Sequence, residues 1–197
     1  MEIEEKMLAY LLQNVYPAAV DTYLDRVFEN SEKESIASSV LLSNMIRSYL
    51  CVMSERGEVL PYEDVQGYFF HNGYPQECYR LLEEKCRKSK KSPANGQGKK
   101  AGISGGCFHK LLDALLPVIT LWVDQALEDS STDPQYSAVA ASNALRCYIR
   151  LKKSRGGQVP YEDEVDFFQS RGYSEGQYDL FEARRKKESE YYCGPQF

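Results

Sequence analysis

The sequence predicts an all-α protein of two homologous helical bundles, each with four to five helices, joined by a flexible basic linker. Two observations predict this architecture: a long stretch of the chain recurs 99 residues later, and apolar residues recur at helical rather than strand spacing. A third is the Gly-, Ser- and Lys-rich segment between the copies. The predicted boundaries are 1–88 for the first repeat, 89–106 for the linker and 107–193 for the second repeat.

The repeat is clearest in two segments, GEVLPYEDVQGYFFHNGY at 57–74 and GGQVPYEDEVDFFQSRGY at 156–173. A constant offset of 99 aligns residues 43–83 with residues 142–182 without a gap, and 16 of these 41 pairs are identical. A weaker match continues upstream. The simplest interpretation is an internal duplication of one unit of about 90 residues.

The first repeat carries three apolar stripes with helical spacing before the shared motif. They predict a helix over 3–15, a second over about 18–29 and a long third over about 32–55. Tyr16-Pro17 is predicted to interrupt the first two, because proline removes a helix hydrogen bond. Gly57 is predicted to end the third.

The shared motif itself is explained by helix starts and stops. Pro61 and Pro160 are each predicted to open a short helix, with the following Glu-Asp pair in its first turn, where the helix dipole favours acids. Gly73 and Gly172 suit the left-handed position that ends a helix. A last helix follows each glycine. In the second repeat this helix starts at Ser174, which has the spacing of a capping box with the glutamine three residues later.

Charge divides the chain into three blocks. The net charge is −8 over residues 1–86, +7 over 87–110 and −4 over 111–197, so two acidic blocks flank a basic one. The sequence shows neither a secretory leader nor an apolar run of membrane-spanning length, so no membrane association is expected. The six cysteines form no C-x-x-C pair and are not shared between the repeats, which predicts free thiols and an intracellular location, cytoplasmic or nuclear.

Catalysis is not predicted. The two histidines, His71 and His109, do not recur in the partner repeat, and the sequence contains no nucleotide-binding, zinc-protease or serine-hydrolase motif. The repeated acidic pair Glu63 and Asp64 does not make a catalytic dyad, because adjacent helical residues point about 100° apart. We therefore expect no catalytic residue, no cofactor and no metal site.

The leading functional hypothesis is a non-enzymatic adaptor that binds protein partners through repeated residues. Eight repeated residues are candidates for the partner surface. They are Tyr62, Glu63, Asp64 and Arg47 in the first repeat, and Tyr161, Glu162, Asp163 and Arg146 in the second. In an alternative role, Arg47 forms an internal ion pair with Asp64, and its copy Arg146 pairs with Asp163.

The alternative function is nucleic-acid association. Residues 65–82 and their copies resemble the spacing of a helix-turn-helix, with an apolar residue after the turn glycine and others five and eight positions later. Basic residues supply a candidate phosphate-binding or nuclear-import patch. They are Lys88, Lys90, Lys91, Lys99, Lys100, Arg184, Arg185, Lys186 and Lys187. Acidic residues on the would-be recognition helices oppose this function.

Overall fold

The structure, a computed structural model, describes residues 2–28, 32–91, 106–128 and 137–197. Every regular element in these ranges is helical, which confirms the all-α prediction. The helices are α1 (Glu2–Tyr10), α2 (Tyr16–Phe28), α3 (Glu32–Glu55), α4 (Val65–His71), α5 (Gln76–Lys91), α6 (Cys107–Glu128), α7 (Ala138–Ser154), α8 (Glu164–Ser170) and α9 (Glu175–Ser189). Helix α5 extends three residues into the predicted linker, and residues 92–105 lie outside the described ranges.

A π-helical turn over Leu11–Val15 joins α1 to α2, so the predicted break at Tyr16-Pro17 is wrong. The N–H of Tyr16 donates to the carbonyl of Leu11, five residues earlier. Pro17 has no N–H to donate, and its ring crowds the preceding turn of an ordinary α-helix. A single wider turn accommodates a local irregularity of this kind while the helix continues.

The π turn also accounts for a change in the spacing of buried residues. Before it, buried Leu8 and Leu11 match buried Phe108 and Leu111 of α6 at a spacing of 100. After it, every match has a spacing of 99, from Val15 and Ala114 through to the end of α2. One extra residue in the first segment is therefore absorbed by the π turn without rotating the apolar face away from the core.

The chain forms two compact units. We call residues 19–114 the early unit, and residues 1–18 with 115–197 the late unit. The late unit therefore contains α1, and the early unit contains the start of α6, so each takes its first helical segment from the other predicted repeat. The predicted boundaries of the repeats describe sequence similarity and do not coincide with those of the compact units.

The core of the early unit forms where α3 contacts α4 and α5. Leu42, Ile46, Phe69 and Leu82 are almost completely buried there. Helix α3 is also the one described helix that is long and apolar enough to cross a membrane by length and composition. Serines are among the buried residues of α3, and they make the helix as a whole less hydrophobic than its apolar side chains alone would be.

The core of the late unit forms where α7 contacts α1, α8 and α9. Phe168 is its aromatic centre, with ring centroids of Tyr173, Tyr178 and Phe181 at 5.0, 5.1 and 5.0 Å. Trp122 is buried in the same unit. Aromatic pairs at these separations add to the free energy gained by burial.

Helices α4 and α8 begin after an aspartate and not at the predicted prolines Pro61 and Pro160. The Asp64 side chain accepts a hydrogen bond from the Gly67 N–H at 2.7 Å, and Asp163 accepts one from the Asp166 N–H at 3.0 Å. A helix start leaves N–H groups unsatisfied, and an aspartate cap satisfies one of them. The acidic pair therefore flanks the helix start instead of occupying its first turn.

The predicted helix ends are confirmed at the glycines. Gly73 has a φ of 75° and Gly172 a φ of 81°, both in the left-handed region. The next residue, a tyrosine in both cases, donates its N–H to the carbonyl five residues earlier at 3.0 Å. Ser174 caps α9, with the reciprocal glutamine bond of a capping box.

Candidate functional site

A short peptide, residues 195–197 of this chain, lies against α7 in the late unit. The Asn143 side chain holds its main chain from both ends: Nδ2 donates to the Pro195 carbonyl at 2.8 Å, and Oδ1 accepts from the Phe197 N–H at 3.2 Å. An amide that donates to one residue and accepts from the residue two positions later recognises the backbone and not its side chains. We call the surface of α7 around Asn143 that holds residues 195–197 the late groove.

Arg146 lies one helical turn from Asn143 and binds the same peptide. Its Nη1 donates to the main-chain oxygen of Phe197 at 2.9 Å. Its Nε and Nη2 donate to one oxygen, Oε2, of Glu164 at 3.1 and 2.8 Å. Because Glu164 is only 4% exposed, its carboxylate is desolvated and tied to the guanidinium. Glu164 therefore fixes Arg146 in the orientation that reaches the peptide.

The side chain of Phe197 is also held. Its ring packs edge-on against Tyr10 at a centroid distance of 5.4 Å. Burial, aided by Tyr192, raises the pKa of Tyr10 above its ordinary value. A cleft of about 360 Å³ beside Phe197 is lined by Met7, Ile149 and Tyr178 among others. The late groove thus combines backbone recognition with an aromatic pocket.

The predicted partner residues fall in matching clefts of the two units. Arg146, Glu162 and Asp163 line the 360 Å³ cleft. The corresponding residues of the first repeat, Arg47, Glu63 and Asp64, line a cleft of about 310 Å³ in the early unit. The structure therefore brings three of the four predicted residues of each repeat together, which the sequence could not establish.

The fourth member of each set lies elsewhere. Tyr161 is 4% exposed, which rules out the predicted exposed role, because its ring packs edge-on against Phe167 at 5.2 Å. Tyr62 is half-buried, with its ring 5.4 Å from Tyr68 and 5.3 Å from His71. Both tyrosines stabilise the loop before the short helix.

The predicted ion pair between Arg146 and Asp163 is wrong, because Asp163 caps α8 and Arg146 binds Glu164 instead. At the position of Glu164 the early unit has Val65. Arg47 accordingly has no hydrogen-bond or ion-pair partner among the residues that the structure describes, and Asp64 caps α4. The repeated arginines therefore have different surroundings.

A larger cleft of about 570 Å³ lies on the α6 side of α3 in the early unit. Asn44 and Arg47 line it, as do Lys110 and the two half-cystines. Asn44 and Arg47 are both exposed, whereas Asn143 is 4% exposed beneath residues 195–197. We call this the early cleft.

A disulfide between Cys51 and Cys107 joins α3 to α6 in the early unit, with a Cα–Cα distance of 5.7 Å. The prediction of six free thiols is therefore wrong for these two, since residues 56 apart in sequence meet only in the fold. Glu55 completes a group with these sulfurs that has metal-binding spacing, but the disulfide occupies both. Burial raises the pKa of free Cys147 to about 12.

Several basic residues of the predicted phosphate-binding patch are occupied within their own unit. Lys88 forms ion pairs with Glu32 and Glu84 at 3.2 and 3.3 Å, and Arg185 with Glu182 at 2.7 Å. Lys186 lies 3.5 Å from Glu182, and Arg184 donates to the Ala126 carbonyl. The exposed Lys90 and Lys187 lie near the ends of α5 and α9, and Lys91 ends α5, while Lys99 and Lys100 lie outside the described residues.

Sequence reasoning missed Asn143, Glu164 and the peptide itself. A signal for Asn143 was present, because Asn44 and Asn143 are an identical pair three residues before the repeated arginines, on the same helix face. Glu164 is not repeated, so the comparison of the two copies gave it no weight.

The arrangement supplies hydrogen-bond donors and acceptors for a peptide backbone, a guanidinium for an oxygen ligand and an aromatic pocket for one side chain. These are the parts of a peptide-recognition site. Comparison of the chain with protein-family models, with curated proteins and with solved structures finds no match.

Proposed function

We propose that this chain is a non-enzymatic protein–protein interaction adaptor, in which each of two duplicated helical units binds a short peptide beside an Asn-x-x-Arg pair. The observation that carries the proposal is the two-ended hydrogen bonding of Asn143 to the main chain of residues 195–197. A groove that holds one short peptide by its backbone accepts others with similar anchor residues.

Structural parallels at a spacing of 99 support the duplication. Lys85 donates to the Val27 carbonyl, and Arg184 donates to the Ala126 carbonyl, so both residues of each pair keep the offset. The aspartate caps and the left-handed glycines keep it as well. A less regular parallel is that Tyr74 binds Asp21, whereas Tyr173 binds Asp124, which aligns one helical turn further along.

In this proposal the predicted linker tethers two recognition modules that act on protein partners. Tethered modules raise the effective concentration of the second binding event to the millimolar range for short flexible linkers. An intracellular location stays part of the proposal. The disulfide between Cys51 and Cys107 weighs against it, since disulfides persist mainly in oxidising compartments.

The nucleic-acid alternative stays a prediction with less support. Nonspecific affinity for nucleic acid comes from cations that neutralise phosphates. Lys88 and Arg185, two of the proposed contacts, already neutralise carboxylates of their own units. The alternative predicts binding that falls steeply with salt, which separates it from peptide binding.

The proposal is tested by adding the peptide in trans. The receptor is the full chain carrying Pro195→Gly and Phe197→Ser, which removes the ring contact of Phe197 with Tyr10 and so weakens the hold of the chain's own residues 195–197 on the late groove. The probe is a fluorescein-labelled copy of residues 192–197 with serine in place of Cys193. We expect saturable binding, weakened about tenfold or more by Asn143→Ala, because a backbone amide pair is lost.

Two controls complete this experiment. Asn72→Ala removes an amide that donates to the Tyr68 carbonyl in the early unit, and it should leave the late-groove affinity unchanged. A scrambled peptide should bind more weakly. Equal binding of the native and scrambled peptides, or the same affinity with and without Asn143, would contradict the proposal.

A further inference from the structure

The early cleft carries the recognition pair of the late groove on an exposed surface. Asn44 and Arg47 have the same spacing on α3 as Asn143 and Arg146 on α7. Both side chains are exposed and line a cleft of about 570 Å³. The early unit therefore presents a backbone-reading amide and a guanidinium to a ligand.

The charge around the two arginines differs. Arg146 binds the buried carboxylate of Glu164, whereas Val65 stands at that position in the early unit. Arg47 has no such partner among the described residues, and Lys110 adds a second cation to the same cleft. Asp113 also lines it. A guanidinium forms its strongest hydrogen bonds with a carboxylate, in a forked geometry.

The acids on the other side of Arg47 do not supply this carboxylate. Asp64 accepts the N–H of Gly67 as the α4 cap. Glu63 is exposed and lines the smaller cleft without an ion pair to a described base. Among the described residues of the early unit, none therefore supplies to Arg47 the carboxylate that Glu164 supplies to Arg146.

We propose that the early cleft binds a peptide of a partner protein that lays its main chain on Asn44 and places a carboxylate on Arg47. The partner supplies the charge that Glu164 supplies in the late unit, and Lys110 adds to the attraction. The inference rests on the proposed peptide-binding function and specifies its ligand in the early unit. The carboxylate comes from a peptide C-terminus or from an acidic side chain.

The test uses the intact full chain, whose own residues 195–197 lie in the late groove, so that added peptide reports on the early cleft. Three fluorescein-labelled probes are compared by anisotropy. The first is YSGPQF with a free C-terminal carboxylate, the second is its C-terminal amide, and the third is that amide extended by a glutamate before the blocked end. We expect one or both acidic probes to bind about tenfold or more tightly than the neutral amide.

Which acidic probe binds identifies the source of the carboxylate. Tight binding by the first probe alone identifies the ligand as a peptide C-terminus. Tight binding by the third probe, alone or together with the first, shows that an acidic side chain is sufficient for binding. Equal binding of all three probes overturns the inference and leaves the proposed function standing. If every probe binds only to the chain carrying Pro195→Gly and Phe197→Ser, the inference is likewise overturned and the proposed function stands.

Variants of exposed residues locate the contact. Arg47→Ala should remove the tenfold preference for acid, and Arg47→Lys should retain part of it. Arg47→Glu should reverse the preference, so that a lysine-extended amide binds more tightly than the glutamate-extended one. The matched control Arg80→Ala changes an exposed arginine on α5 and should have no effect.

Two further outcomes would overturn the inference. One is an acid preference that survives Arg47→Ala and Arg47→Glu, which would place the carboxylate elsewhere. The other is a labelled twelve-residue oligothymidylate that binds through Arg47 more tightly than any peptide probe and displaces it. Asn44→Ala should weaken all three probes by the same factor, because the amide contacts only the main chain.

Discussion

Arg146 donates two hydrogen bonds, of 3.1 and 2.8 Å, to a single carboxylate oxygen of Glu164, whose side chain is 5% exposed. Removing one partner of a buried pair leaves the other charge unpaired and costs about 3 kcal/mol or more. The Arg146 side chain is 34% exposed, so solvent screening reduces this cost. The pair therefore contributes to stability and also to the shape of the late groove.

We predict that Arg146→Ala lowers the free energy of unfolding by about 2 kcal/mol. Arg47→Ala, the matched change in the early unit, should alter it by less than about 0.5 kcal/mol, because Arg47 is exposed and has no ion pair with a described residue. Urea unfolding of both variants at neutral pH measures the difference. Equal losses would contradict the different surroundings of the two arginines.

The two left-handed glycines should be intolerant of side chains. Gly73→Ala and Gly172→Ala should each cost about 1 kcal/mol, since a Cβ is strained at a φ of 75° or 81° although nothing crowds it. Gly176 provides the control, because it lies in the first turn of α9 without a left-handed φ and also has open space around it. Gly176→Ala should stabilise by about 0.5 kcal/mol or less, because the full helix-propensity gain applies to helix interiors. Thermal unfolding that ranks all three alike would be inconsistent with helix ends at these positions.

Thiol counting tests the disulfide and the burial of Cys147. In unfolded, unreduced protein we expect four reactive thiols, and six after reduction, because Cys51 and Cys107 are joined. In the native state Cys193 should react first because it is exposed. Cys147 should react only on unfolding, since burial raises its pKa to about 12 and leaves almost no thiolate. Six thiols without reductant would refute the disulfide.

Alkaline pH should destabilise the fold. Burial raises the pKa of Tyr10, Tyr23, Tyr74, Tyr161 and Tyr173 above the ordinary 10.0. Below pH 10 these hydroxyls are neutral in both states, and their contribution is fully present. As the pH rises above 10, the unfolded tyrosines ionise first, so this contribution to stability is lost. Tyrosinate absorbance and urea unfolding between pH 9 and 11.5 measure both effects.

A substitution assigns part of that loss. Tyr173 donates to Asp124, so Tyr173→Phe should lower stability at pH 8 by about 1 kcal/mol and reduce its decline above pH 10. Tyr191→Phe changes an 80% exposed tyrosine and serves as the control. An unchanged decline with Tyr173→Phe would contradict the assignment.

The helical ranges were predictable because local signals fix them. Apolar periodicity predicted α3 over residues 32–55, glycines marked helix ends, and Ser174 marked the start of α9. The predicted starts of the short helices α4 and α8 at prolines were wrong. Proline at 61 or 160 is compatible with a helix start, but the aspartate three residues later satisfies a free N–H directly.

Long-range features were not predictable from the same signals. Three features depend on which surfaces meet in the fold. They are the disulfide, the placement of α1 in the late unit and the binding of residues 195–197 to α7. The candidate surface was predicted in part, since Arg146, Glu162 and Asp163 share a cleft. Glu164 was missed because a comparison of the repeats identifies residues that both copies share. Glu164 is important because it differs from Val65, the residue at the same position in the first copy.

The most direct test of peptide binding by the Asn-x-x-Arg pair is the hydrogen-exchange rate of the Phe197 amide, measured by NMR on the full chain. That N–H donates to Asn143, so it should exchange at least tenfold more slowly than in an unstructured peptide. Asn143→Ala should remove this protection, and Asn72→Ala should preserve it. A Phe197 amide that exchanges at the unstructured rate in the unmodified chain would contradict the account.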